Sequence, residues 1–291
     1  MRKRCLLAPF AAILTAFAVH AQAPAPASVL GHAPGDDYYL ANYEEEIHYF
    51  HELAAHSDRI RMITVGKSSE GRDIEVALIS SPQNLARVDD YKAANVRLAT
   101  DQNLEDAQAR ELAHTSKVIV HIDGGLHADE VAGPQHSIAL AYKLVSTQND
   151  PEIDTILDNV ILMLWPTLNP DGQDMVVSWY RKNLGTRFEV SPMPWLFQEY
   201  VGHDNNRDGY MLNMKESQVV ANAEIDWAPE IFYCQHQTAP FPARIWIPPF
   251  SDPISSNISP YVRSWFNVVG TNMTAYLDAH QMPGAISEQR F

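Results

Sequence analysis

Val118-Ile119-Val120-His121-Ile122-Asp123-Gly124-Gly125-Leu126-His127-Ala128-Asp129-Glu130 is the stretch on which the fold turns. Its first five residues are almost continuously apolar, the pattern of a short strand covered on both faces. A glycine pair follows, then a histidine and a glutamate three residues apart. An imidazole and a carboxylate on one turn can ligate the same divalent metal. A third protein ligand would leave a fourth position for water, as in a catalytic rather than a structural zinc site. Alone, a four-residue pattern of this kind also arises in ordinary surface turns.

Two further apolar runs behave like the first. Val160 to Trp165 leads to Asn169-Pro170-Asp171-Gly172, and Ile231 to Cys234 leads to Gln235-His236. Between the first two runs, Pro134 to Ser146 reads as a helix with proline in its first turn. Strand alternating with helix predicts an α/β fold: a doubly wound, mainly parallel mixed sheet with helices on both faces. Open sheets of that class place their sites at the carboxyl ends of strands. Three strand ends then converge on one crevice, with His127, Glu130 and His236 as a His/Glu/His metal set.

The flanking segments fit this frame. Asn42 opens a helix with Glu44, Glu45 and Glu46 in its first turn, where negative charge suits the helix dipole. Arg59 to Val65 and Asp73 to Ser80 read as a hairpin. Asp101 to His114 reads as a polar helix, Pro240 to Pro253 as an ordered loop, and Tyr261 to Leu277 as a buried helix on the spacing of Val262, Trp265, Phe266, Val269, Met273 and Tyr276. Residues 22–40, rich in Ala and Pro, read as an unstructured linker. Residues 1–21 have a basic start (Arg2, Lys3, Arg4), a short apolar run and small residues at its end. That is the pattern of a cleavable signal peptide, predicting a secreted or periplasmic protein without a membrane anchor.

Losing those three basic residues takes the net charge from −15 to −18. Such acidity argues against nucleic acid and anionic membranes as partners. The expected mature chain keeps only Cys234, so no internal disulfide is expected.

Six features standing in order resemble the zinc carboxypeptidases of the funnelin type over roughly residues 40 to 290. They are Gly66-x-Ser68-x-Glu70-Gly71-Arg72, His127-x-x-Glu130, Asn169-Pro170-Asp171-Gly172, Trp179-Tyr180-Arg181-Lys182, Asn206-Arg207 and a strand-end His236. The resemblance implies one Zn2+ per chain on His127, Glu130 and His236, and a peptide or protein substrate cut at its C-terminal bond. It also implies that Arg181 polarises the scissile carbonyl and that Asn206 and Arg207 hold the terminal carboxylate. Physics agrees with those roles. A guanidinium beside a developing oxyanion stabilises charge that appears only in the transition state, and an arginine suits a planar carboxylate through paired hydrogen bonds. Asp171 is a candidate to orient a ligand histidine.

The same pattern implies a general-base glutamate on a late strand, several dozen residues beyond the third ligand. Only Glu288 follows His236 here, in a segment unlike an apolar central strand. The expectation is that the base, a late tyrosine and most of the side-chain pocket are absent, the C-terminal part of the fold being missing. That leaves three readings: a zinc exopeptidase or fragment of one, a non-catalytic zinc domain that binds peptide carboxylates, and an amidohydrolase of the same fold acting on cell-wall peptides or acylated amino acids.

Other features of the chain have plainer roles. Cys234 stands two before His236 and could offer a soft ligand, but a small buried hydrophobe is the simpler reading. His121 lies inside the first strand as a core histidine; His136 and His203 are most simply structural or exposed. Asp204-Asn205-Asn206-Arg207-Asp208-Gly209 opens like a calcium loop, yet its twelfth position is Lys215 where a bidentate glutamate is needed. No Gly-x-Ser-x-Gly elbow supports a serine hydrolase, and Asp123-Gly124-Gly125 lacks the full dinucleotide glycine fingerprint.

Overall fold

The computed structural model describes residues 23–198, 200–237, 243–252 and 254–287; the expected signal peptide and Glu288 lie outside them. The chain divides into two units, one ending at His236 and the other beginning at Gln237.

In the first unit the helices are α1 (Pro26–Leu30), α2 (Tyr43–His56), α3 (Pro82–Leu85), α4 (Val88–Thr100), α5 (Asp106–Thr115), α6 (Ala132–Ser146), α7 (Pro151–Asn159), α8 (Pro170–Asn183) and α9 (Lys215–Trp227). The strands are β1 (Ile60–Lys67), β2 (Asp73–Ile79), β3 (Val118–Asp123), β4 (Val160–Trp165) and β5 (Ile231–Tyr233), in sheet order β1-β2-β4-β3-β5. The hairpin β1–β2 and the pair β2–β4 are antiparallel; β3 runs parallel to both β4 and β5. The sheet is mixed, with its parallel part where the site is expected.

Strand alternation divides the core into two layers. Ala77, Ile79, Leu162 and Leu164 face Tyr49, Phe50 and Leu53 of α2 and Ile138, Ala141 and Val145 of α6. Val76, Leu78, Ile119, Ile161, Met163 and Trp165 face Val88 and Tyr91 of α4 and Ala223 and Trp227 of α9. Both faces are thus covered, which is why β3 and β4 read as near-continuous apolar runs. Each fully buried Leu, Ile or Phe contributes on the order of 1.5–3 kcal/mol of transfer free energy. β5 differs from the central strand expected of it. Among the described residues it stands at the edge of the sheet, and Phe232 is half exposed.

Local chemistry sets the helix starts. Asn42 and Glu45 form a reciprocal capping box at α2, and Asp150 accepts the N–H groups of Glu152 and Ile153 at α7. The expected linker proves structured. Pro26 at the start of α1 is buried, Ala23 and Ala41 join the core, and the Tyr49 hydroxyl donates to the carbonyl of Pro24 at 3.0 Å. Alanine and proline are apolar, so low complexity did not prevent docking on α2.

In the second unit, β6 (Ile245–Trp246) pairs in parallel with β7 (Ala285–Ile286), and α10 spans Pro260–Ala279. The expected loop at Pro240 to Pro253 therefore contains a short strand; residues 240–242 and 253 lie outside the described set. α10 is not the buried helix its spacing suggested. Gly270 sits against the Pro248 carbonyl and Phe266 against Phe250, whereas Tyr261, Val262, Trp265 and Tyr276 are exposed. Apolar spacing identifies a face without saying whether anything covers it. Among the described residues no helix is long and apolar enough to cross a membrane.

Glu46 of α2 is completely buried, with Gln173 Nε2 donating to it at 3.0 Å. Burial outweighs that bond and holds its carboxyl well above the usual range. The unfolded chain releases this proton near pH 4.3, so native stability falls as pH rises beyond that point. Glu46→Gln should flatten this dependence, gaining stability over wild type progressively from pH 5 to pH 8 in urea unfolding. Parallel curves would contradict the assignment.

Candidate metal centre

Parallel pairing sets the register of the site. Val120 stands opposite Ile231, Ile122 opposite Tyr233, and Asp123 opposite Trp165, so β3, β4 and β5 end at one edge. The turn after β3 needs its glycines. A Cβ on Gly124 would lie 1.9 Å from the Pro166 carbonyl oxygen, and Gly125 adopts φ +91° beside the Gln235 carbonyl. The Gly125 carbonyl accepts from Leu168 N–H at 3.0 Å, and the Glu130 N–H closes a turn onto the His127 carbonyl at 3.0 Å. That turn puts the two side chains on the same side.

His127 Nδ1 lies 3.1 Å from Glu130 Oε1, and His236 Nδ1 lies 3.0 Å from Glu130 Oε2. All three donor atoms fall within 4.8 Å of one another, and among the described residues this is the group of His, Cys, Asp or Glu side chains close enough to share an ion. Ligands about 2.0–2.1 Å from a tetrahedral zinc are separated by about 3.3 Å, so the two carboxylate contacts match tetrahedral edges. The donor set fits zinc in chemistry, and each histidine stands at a ligand-like distance from the carboxylate.

The histidines are held from behind. His127 Nε2 lies 2.9 Å from Asp204 Oδ1, which also accepts the Asn206 N–H at 2.8 Å. Burial disfavours a charged His127 ring, but the Asp204 and Glu130 carboxylates outweigh it and raise its pKa. Asn206 Nδ2 lies 3.3 Å from His236 Nε2. The Asn169 and Asn205 amides both donate to the Leu126 carbonyl, at 3.3 and 2.6 Å, fixing the backbone just before His127. Arg207 is exposed, donates to the Asn206 carbonyl at 3.2 Å, and its charge is among the influences that hold the Asp204 carboxyl low.

Two expected roles are redistributed. Arg181 Nη2 donates to the Leu40 carbonyl at 2.7 Å and to Glu45 at 2.6 Å, and its guanidinium lies over the Tyr39 ring. Asn169, the cap of α8, touches the His127 turn, but Arg181 comes twelve residues later, about 18 Å along a helix rising 1.5 Å per residue. That exceeds the reach of its side chain, so Arg181 clamps α8 to α2 rather than facing the cluster. Asp171 does not orient a histidine either. It accepts from Ser68 Oγ and the Glu70 N–H, each at 2.8 Å, and pairs with Arg72 at 2.7 Å. The Ser68/Glu70/Arg72 motif is thereby explained as a brace between the hairpin and α8, centred on the buried Ser68 and Asp171. In the calcium-like segment, Asp204 serves His127, Asn206 faces His236, and Asp208 accepts the Met214 and Asn213 N–H groups. These side chains serve separate partners rather than one ion. His136 contacts Gln235, and burial lowers its pKa.

A family model described as zinc carboxypeptidase matches residues 47–286. The chain belongs to the zinc carboxypeptidase family. It is 43% identical to carboxypeptidase B of Astacus astacus over 56 residues, which are 19% of this chain and 18% of that protein. Its fold is similar to that of carboxypeptidase A from Helicoverpa armigera, with a TM-score of 0.57, 16% identity, and coverage of 91% of this chain and 63% of that one. It is also similar to a metallo-carboxypeptidase from Burkholderia cenocepacia, with a TM-score of 0.50, 16% identity, and coverage of 87% and 55%. The chain therefore spans less than two thirds of the length of these relatives.

Around this candidate site, Asp204 is the residue that the sequence pattern did not single out. Its signal was present, an acid two before Asn206, but was absorbed into the calcium-like pattern. Partners that hold a ligand histidine's second nitrogen typically matter 10–100-fold for metal affinity. Asp204→Asn should weaken zinc binding by about that factor in a chelator competition, with the unfolding midpoint of the zinc-free chain little changed. Unaltered affinity would contradict the role.

Proposed function

We propose that this chain holds one zinc ion on His127, Glu130 and His236 and engages the free C-terminal carboxylate of a peptide through Arg207 and Asn206, as the metal- and carboxylate-binding part of a zinc exopeptidase. The observation that carries this reading is the approach of two imidazole Nδ1 atoms to the two oxygens of one carboxylate, at 3.1 and 3.0 Å. Zinc bound there would polarise a scissile carbonyl and activate water. Glu130 and the two histidines set the donor geometry, Asp204 and Asn206 fix the rings, and Arg207 supplies a cation at the rim. The basic and apolar start of residues 1–21 supports export as the setting.

A second reading, carboxylate binding without turnover, draws on one observation. Asp204 touches the cluster without belonging to it, but its Oδ1 is engaged by both His127 and the Asn206 N–H. That oxygen is committed to orienting the His127 ring, the role of a positioning group.

Zinc should bind the full chain at one equivalent, and His127→Ala and His236→Ala should each abolish tight binding; retention by both would remove the site. A free-acid dipeptide should bind at least tenfold more tightly than its C-terminal amide. A hydrogen bond to a charged group contributes about 1.5–3 kcal/mol, so Arg207→Gln should erase most of that preference. Equal binding of acid and amide by the wild type would refute the carboxylate role. Release of the C-terminal residue by the zinc-loaded chain would separate exopeptidase from binding module.

A further inference from the structure

We propose that Asp123 is a positioning residue for the metal centre, its carboxylate tying the segment that carries His127 and Glu130 to the segment that carries His236. The inference rests on the zinc reading above.

Asp123 is wholly buried at the end of β3. Its Oδ1 accepts the Gly125 N–H at 2.7 Å and the Gln235 N–H at 3.3 Å. Gly125 lies two residues before His127, and Gln235 immediately precedes His236. One carboxylate oxygen therefore bridges the two backbone segments that deliver the histidines. The segments also touch directly, since a Cβ on Gly125 would lie 2.9 Å from the Gln235 carbonyl.

A buried carboxylate of this kind needs its other oxygen satisfied. His121 Nε2 lies 3.3 Å from Asp123 Oδ2, and His121 Nδ1 lies 2.6 Å from Glu224 Oε1 on α9. The imidazole is enclosed between Trp165, stacked at 5.2 Å, and Phe232 at 4.2 Å. Burial disfavours its charge, but Asp123 and Glu224 outweigh that and raise its pKa, which suits a cationic partner for Asp123. The core histidine of β3 thus orients the acid that sets the distance between two ligand-bearing loops. Zinc–ligand distances tolerate only about ±0.2 Å, so a shift between these loops acts directly on coordination. An amide at position 123 keeps the shape but loses the charge that strengthens both N–H bonds.

The test compares wild type with Asp123→Asn in the full chain, using chelator competition for zinc, the visible spectrum of the cobalt(II)-substituted protein, and zinc-free unfolding. At least tenfold weaker zinc binding is expected, with displaced or weakened cobalt d–d bands that report altered coordination. A lower unfolding midpoint with zinc affinity within twofold and an unchanged cobalt spectrum would assign Asp123 to the fold alone and overturn the proposal. If the variant does not fold, amide hydrogen exchange in the wild type carries the test. Gly125 and Gln235 N–H should both exchange slowly and be slowed together by zinc; rapid exchange at either overturns the bridge. Failure of the zinc reading itself would be seen in the wild-type titration, whereas failure of this inference is seen only at Asp123.

Discussion

Parallel pairing of β3 with β4 on one side and β5 on the other is the constraint from which the site follows. Three strands running the same way must end at the same edge, so residues separated by more than a hundred positions meet there. His127 and Glu130 come from the turn after β3, Asn169 from the end of β4, and His236 from the end of β5. Close approach of these ends requires the absence of side chains at Gly124 and Gly125, whose Cβ positions are already taken by the Pro166 and Gln235 carbonyls. The glycine pair is thus a packing requirement of the His127/Glu130/His236 cluster, and the apolar strand before it supplies the rigidity that a site of fixed geometry needs.

Two buried carboxylates of this unit each have partners in place. Asp171 has Arg72 and two hydrogen-bond donors, and Asp123 has His121 and two backbone N–H groups. Removing one member of such a pair is far more costly than never having had it. The two networks lie at neighbouring strand ends and are built alike, with an acid that braces backbone and a cation or imidazole that neutralises it. Glu46 faces the Gln173 amide instead of a cation, and burial holds its carboxyl well above the usual range. Arg181 shows the same economy of placement, joined to Glu45 and the Leu40 carbonyl where α8 passes α2.

The three strands, the hairpin, the helix after the glycine turn and the His/Glu/His set are legible in the sequence because each has a local signature: period, capping residue or motif. What is not legible depends on partners distant in sequence. Residues 23–40 resemble a linker because alanine and proline carry little periodicity, though Ala23 and Pro26 are buried. α4 escapes a reading by pattern because its helical sequence is largely polar, with Val88 and Tyr91 as its main apolar anchors. Arg181 stands in the expected motif order, but only the length of α8 reveals that it is too far along the helix to serve the cluster. Asp204 is hidden by a pattern that suits calcium equally well. Motif order identifies the family, while the direction of each side chain has to come from the fold.

Zinc K-edge X-ray absorption on the metal-loaded full chain addresses the central claim most directly. The account predicts a coordination shell of nitrogen and oxygen at about 2.0–2.2 Å, with the more distant scattering of two imidazoles and no sulfur. A zinc–sulfur distance of about 2.3 Å, which would bring Cys234 into the sphere, or a shell without imidazole scattering, would contradict it.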